Sequence, residues 1–233
     1  MASLASQAKR GSGKPTLVLV PTELELRRLE DQGGLLAGHG IVRVCGFGPI
    51  AAAARCSRML AQLTPARVLL VGIAGAYDVE RDPIGCALEF SSVAIDGIGA
   101  GEGRELVPPA ALGFPQWPGS PGAPAVEERL PLARAPSGDA GLLLTTCAAS
   151  AARAQVVARL ERFPGARAED MEGFGVAAAC RLAGVPLRIV RGISNRVGDR
   201  DAKHWSLPRA LASARLAALA LLESAWDDGR DAP

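Results

Sequence analysis

This sequence lacks the material for a metal centre. It has two histidines, and its five cysteines (Cys45, Cys56, Cys86, Cys147 and Cys180) include no CxxC pair. Zinc sites need such ligands at short spacing, so no metal and no cofactor is expected. The cysteines are odd in number and each sits in apolar sequence, which predicts buried thiols in a reducing compartment rather than disulfides. Charge of one sign is also missing: 26 basic against 24 acidic residues leave a formal charge of +2, with no basic stripe. Nucleic acid and anionic membrane surfaces are thereby disfavoured as partners. Long apolar runs are absent, because the longest, Val68 to Ala76, is too short to span a bilayer. The first fifteen residues have no continuous apolar core of the kind a signal peptide needs. They read as a disordered tail on a cytoplasmic protein. What the chain does have is 48% hydrophobic residues over 233 positions, enough for one deep core. A single domain over 16–226 and a short tail over 227–233 are expected.

In order, the apolar run Thr16 to Val20 predicts a buried strand, and Thr22-Glu23-Leu24-Glu25 opens a helix to about Gln32. A strand from Ile41 to Cys45 leads through Gly46-Phe47-Gly48-Pro49 into an alanine-rich helix, Ile50 to Leu63. A third strand, Arg67 to Val71, ends at the glycine corner Gly72-Ile73-Ala74-Gly75-Ala76. Such strand–turn–helix units in a row indicate an α/β sheet. Cys86 to Ile95 is β-like, and Asp96 to Asp139 is a Gly/Pro-rich loop. A strand at Leu142 to Cys147 and helices at Ala149 to Arg162 and Gly173 to Leu182 follow. A strand at Pro186 to Val190 and a helix from Pro208 to Trp226 complete the pattern. In that last helix Leu211, Leu216, Leu221 and Leu222 share one face, so it should cover the sheet.

Several motifs carry chemistry. Gly46-x-Gly48-x-x-Ala51 looks like a dinucleotide fingerprint, but no acidic residue ends the following strand. A glycine corner that brings backbone amides up to a small ligand fits better. Gly72 to Ala76, with Ile73 and Ala74, is either a tight turn or the floor under a ribose or base. Glu25 closes a capping box with Thr22, or is a general base that orients water. Glu172, in Asp170-Met171-Glu172-Gly173, either favours the positive end of a helix or accepts both hydrogens of a ribose diol beside an oxocarbenium-like transition state. Met171 suits the wall under a sugar. Asn195 is a turn residue, or an amide whose donor and acceptor match O6 and protonated N7 of a 6-oxopurine. Arg200 or Arg196 could clamp a substrate carboxylate.

Together, Pro21-Thr-x-x-Glu25, Gly46-x-Gly48, Gly72-Ile-Ala-Gly-Ala76, Asp170-Met-Glu-Gly173 and Arg191-x-Ile-Ser-Asn195-x-Val-Gly-x-Arg200 resemble the nucleoside phosphorylase/nucleosidase superfamily. The Ser-Asn-x-Val-Gly-x-Arg continuation is similar to its futalosine hydrolase branch. The methylthioadenosine nucleosidase branch carries Asp at the position of Asn195. The resemblance covers Leu17 to Trp226. It implies a three-layer α/β/α fold around a mixed twisted sheet, a homo-oligomer, and release of hypoxanthine from futalosine. Methylthioadenosine/adenosylhomocysteine nucleosidase and purine nucleoside phosphorylase are the alternatives. It also implies roles: Glu25 activates water, Met171 and Glu172 bind ribose, and Asn195 reads the base. Gly46, Gly48, Ile73 and Ala74 border the substrate. Arg200 meets its carboxylate, and Asp199 is a candidate acid for the leaving base. Phe174 stands where the family has a small residue, which bears on pocket width.

Overall fold

The computed structural model describes residues 14–31, 36–122, 124–133, 141–224 and 226. The tails expected at 1–15 and 227–233 lie outside them, apart from Lys14 and Pro15. Three short apolar segments begin the sheet: β1 (Thr16–Val20), β2 (Ile41–Val44) and β3 (Arg67–Ala76), with β1 parallel to both neighbours. Successive side chains of a strand face opposite ways, and here both faces are covered. Leu17, Leu19, Val68 and Leu70 pack on one side with Ala52, Cys56 and Met59 of α2 (Pro49–Leu63) and Val176 and Cys180 of α4 (Gly173–Leu182). Val18, Val20, Leu69 and Val71 pack on the other with Leu29 of α1 (Glu23–Asp31) and Leu211, Ala214 and Leu222 of α5 (Leu207–Glu223). Each fully buried Val or Leu contributes about 1.5–3 kcal/mol. The result is three layers, α/β/α, as expected. No described helix is long and apolar enough to cross a membrane.

The remaining strands are β4 (Ala87–Glu89), β5 (Ser92–Asp96), β6 (Arg129–Pro131), β7 (Leu142–Thr146), β8 (Ala166–Asp170) and β9 (Leu187–Arg196), with α3 (Arg153–Arg162) between β7 and β8. The sheet runs β2-β1-β3-β8-β7-β5-β6, and β9 lies along β3 with β4 beyond it. The β3–β8, β4–β9 and β5–β6 pairs are antiparallel, so the sheet is mixed.

Several expectations need correcting. Residues 166–170 are a buried central strand, not the approach to a helix. Their polar sequence hides this, because the partners that satisfy Glu169 and Asp170 come from distant elements. The glycine cluster Gly72 to Ala76 is no corner: β3 runs through it, paired with β9. Glycine serves there for close approach, since a Cβ on Gly72 would lie 2.2 Å from Arg191 Nη1 and 2.8 Å from Glu25 Oε1. Likewise β9 continues past Val190 to Arg196, so Asn195 sits inside a strand end. The loop from Asp96 holds β6, and α3 begins at Arg153 rather than Ala149. Leu216 is exposed although Leu211 and Leu222 are buried. Cys147 is exposed and Cys86 half-buried, while Cys45, Cys56 and Cys180 are buried as expected. Phe174 packs in the core and leaves pocket width alone.

Candidate active site

A cavity of about 330 Å³ opens at the end of the sheet where β1, β3, β8 and β9 stop together. Glu25, Ile73, Ala74, Met171, Glu172, Asn195 and Arg200 all line it, as do Ser150, Glu169 and Trp205. Segments 170 residues apart in sequence therefore meet as the motifs implied. Gly46 and Gly48 do not border the space. Both take positive φ, 97° and 83°, and the turn they make aims the Gly48 N–H at Glu172 Oε1, 2.9 Å away. The glycine corner thus grips a carboxylate of the protein rather than the ligand, and Phe47 between them reaches the cavity.

Behind the cavity three carboxylates surround one guanidinium. Arg191 is fully buried, and its Nε and Nη2 donate to Asp170 Oδ2 at 3.1 and 2.5 Å. Nη2 lies 3.5 Å from Glu172 Oε2. Its Nη1 has no hydrogen-bond partner among the described residues, and it faces the same glycine as Glu25. Asp170 also accepts from the Thr145 hydroxyl at 2.6 Å and the Gly173 N–H at 2.9 Å. It is therefore Asp170, and not Glu172, that satisfies the start of α4. Sequence reasoning assigned Arg191 no role, because an arginine inside an apolar strand carries no signal until its partners are known.

One cation among three acids in a dry site makes ionisation of Glu25 and Glu172 costly. Burial pushes Glu172 up to about 7; Arg191 and the Gly48 amide oppose this, whereas Asp170 and Glu25 add to it. Burial likewise raises Glu25, against the Thr22 hydroxyl, Arg191 and the Ile73 amide. Glu25 Oε2 accepts from the Thr22 hydroxyl at 2.7 Å, and Thr22 Oγ1 accepts the Glu25 N–H at 3.2 Å. Glu25 Oε1 takes the Ile73 N–H at 3.1 Å. Capping and cavity placement coexist in the one side chain.

Opposite, a bulge between β3 and β9 pairs Ala74 with Ile193 but Gly75 with Asn195. Bulges re-aim side chains, and both Ser194 and Asn195 line the cavity. Asn195 Oδ1 accepts from the Ser194 hydroxyl at 2.8 Å, and Nδ2 donates to the Arg196 carbonyl at 2.8 Å. One N–H and one lone pair of the amide are left over. Arg200 stacks on Trp205, 4.8 Å from the ring centroid, at the rim; Arg196 is exposed and off the cavity. Asp199 does not line the cavity, and its carboxyl is held low, first by the Asp201 amide and then by His204, 2.7 Å away. That makes it a poor acid. Among the described residues no cluster of His, Cys, Asp or Glu is arranged to hold a metal.

The family model of the phosphorylase superfamily matches residues 28–225. Futalosine hydrolase of Streptomyces coelicolor is 34% identical over 195 residues, covering 82% of this chain and 78% of that protein. Futalosine hydrolase of Acidothermus cellulolyticus is 36% identical over 193 residues, covering 81% and 77%. The chain belongs to the futalosine hydrolase family of the phosphorylase superfamily. Solved structures agree on the fold. A 5′-methylthioadenosine/S-adenosylhomocysteine nucleosidase from Colwellia psychrerythraea, in complex with adenine, superposes with a TM-score of 0.70 at 19% identity, covering 91% and 95% of the two chains. The native futalosine hydrolase of Helicobacter pylori gives 0.69 at 16%, covering 89% and 97%.

Proposed function

We propose that this protein hydrolyses the N-glycosidic bond of futalosine, releasing hypoxanthine and leaving the sugar on the remainder of the molecule. The observation that carries the reading is Asn195. It lines the cavity that also holds Glu25 and Glu172, and the N–H and lone pair its amide has left match O6 and the protonated N7 of a 6-oxopurine. Adenine, with a donor at position 6, would suit a carboxylate there. Membership of the futalosine hydrolase family points the same way.

The chemistry follows from the placement. Ionised Glu172 accepts the ribose 2′ and 3′ hydroxyls and stabilises positive charge as the bond from C1′ to N9 breaks. Glu25 takes a proton from a water whose oxygen bonds to C1′. Asn195 stabilises the N7-protonated base, and that proton comes from solvent, since Asp199 is held ionised. Among the described residues Arg200 is the one cation that lines the cavity; at the rim it suits the benzoate-type carboxylate beyond C5′. A phosphorylase would need cations beside the ribose, and among the described residues Arg200, at the rim, is the one cation on the wall. Leu24 and Phe47, 55% and 67% exposed at the lip, favour a second copy of the chain over the mouth, in a cytoplasmic homo-oligomer. Light scattering tests that assembly. For the reaction, purified protein is assayed by chromatography for hypoxanthine release from futalosine, with and without phosphate. Release independent of phosphate is expected. A strict phosphate requirement, or turnover of methylthioadenosine alone, would sink the proposal.

A further inference from the structure

Glu169 is a carboxylate on the cavity wall that the mechanism above does not use. It is buried on β8, directly across β3 from Asn195: Gly75 pairs with Glu169 on one side and with Asn195 on the other. Directly opposed residues in a sheet present their side chains on the same face, so the two flank a glycine over which Val197 and the Asn195 amide already pack. Two strand spacings, about 10 Å, separate their backbones. The Glu169 carboxylate is held rigidly. Oε2 accepts from the Ser150 hydroxyl at 2.7 Å, the Tyr77 hydroxyl at 2.9 Å and Arg159 Nη1 at 3.1 Å, which exhausts that oxygen. Among the described residues Oε1 accepts only the Ser150 N–H, at 2.7 Å. A carboxylate oxygen has room for two donors, so Oε1 keeps one lone pair, and Glu169 and Ser150 both border the cavity.

We propose that Glu169 is a specificity-determining residue whose Oε1 accepts the N1–H of a 6-oxopurine while Asn195 holds O6 and N7. This inference rests on the nucleoside reading above. The three contacts converge on the part of the base where hypoxanthine and adenine differ. N1 carries a hydrogen in the former and a lone pair in the latter, so a fixed carboxylate attracts one and repels the other. Asn195 reads only O6 and N7; a carboxylate held by Arg159, Tyr77 and Ser150 adds an acceptor that reads N1. Arg159 also donates to the Ala148 carbonyl at 3.0 Å and to Asp96 at 2.9 Å, fixing the segment that brings Ser150 to the wall.

The test is a cycle between enzyme and ligand. Inhibition constants for hypoxanthine and for 1-methylhypoxanthine, which has no N1–H, are measured with the wild-type protein and with Glu169→Gln. In the wild type the methylated base should bind about 10–100-fold more weakly, the range for losing a charge-assisted hydrogen bond. In Glu169→Gln that ratio should shrink several-fold, and the ratio of kcat/KM for futalosine over its 6-amino counterpart should fall by at least about tenfold. A purely structural role would lower both substrates equally, leave the ratios unmoved and overturn the proposal. Should the variant not fold, the wild type still decides, for equal binding of the two bases means N1 is unread. If the wild type releases no hypoxanthine from futalosine, the functional reading fails. If it does and the ratios are flat, this inference alone fails.

Discussion

Replacing Asp170 with asparagine tests the charge cluster most directly, because it should move stability and catalysis by different mechanisms. The substitution keeps shape but removes the partner that holds Arg191 through Nε and Nη2, with both side chains fully buried. Breaking a buried ion pair from one side costs about 3–5 kcal/mol, since the remaining charge stays in a dry site. Against a usual total of about 5–15 kcal/mol that is a large fraction, and it corresponds to a fall in Tm of about 6–20 °C for a domain of this size. The catalytic effect has the other sign. Asp170 is one of the groups that raise Glu172, and once it is neutral the Arg191 guanidinium, already 3.5 Å from Glu172, has less competition. Both changes lower the Glu172 pKa, so the acid limb of kcat/KM should move to lower pH even as the protein becomes less stable. Guanidinium unfolding gives the first quantity, and hypoxanthine release across roughly pH 5 to 9 gives the second. A loss below about 1 kcal/mol would show that Asp170 and Arg191 are not paired as described. An acid limb that stays put or rises would refute the charge-sharing account of Glu172.

In the wild type, kcat/KM should climb with pH to a plateau above about 7, because ionised Glu172 is the form that accepts the ribose diol. A profile flat from pH 5 upward contradicts this. The same raised pKa has a stability sign: the folded state holds the Glu172 proton more tightly, so that contribution is complete at low pH and lost as pH rises through 7. Glu172→Gln should then be inactive yet more stable than wild type at pH 8 by up to about 3 kcal/mol, checked by denaturation at both ends of the range. Asn195→Asp should reduce kcat/KM for futalosine by about 10–100-fold and improve the 6-amino analogue relative to it; competition assays with both nucleosides read the ratio. Gly72→Ala puts a methyl 2.2 Å from Arg191 Nη1 and 2.8 Å from Glu25 Oε1. It should cost about 1–3 kcal/mol from overpacking and depress kcat more than affinity for hypoxanthine; kinetics beside a thermal melt separate the two.

The sequence by itself determined the strands of the first half, the helices on both faces, and seven cavity residues: Glu25, Ile73, Ala74, Met171, Glu172, Asn195 and Arg200. These are properties of short range: apolar runs, caps and motif spacing are visible without knowing what lies across the sheet. It could not show β8, whose Ala-Arg-Ala-Glu-Asp reads as surface until Thr145, Ser150, Tyr77, Arg159 and Arg191 supply partners for its two acids. Nor could it show that the Gly72 and Gly75 positions stay within a strand, because the atoms that crowd a side chain there belong to Glu25 and Arg191 at Gly72 and to Val197 and Asn195 at Gly75. The work of Gly48 was likewise hidden, since its amide is spent on Glu172, 124 residues away. Tertiary structure alone decided which carboxylates share Arg191 and which face the ligand. A side chain's charge and reach are written in the sequence, but its pKa and its remaining hydrogen-bond capacity depend on neighbours that only folding brings within a few ångströms.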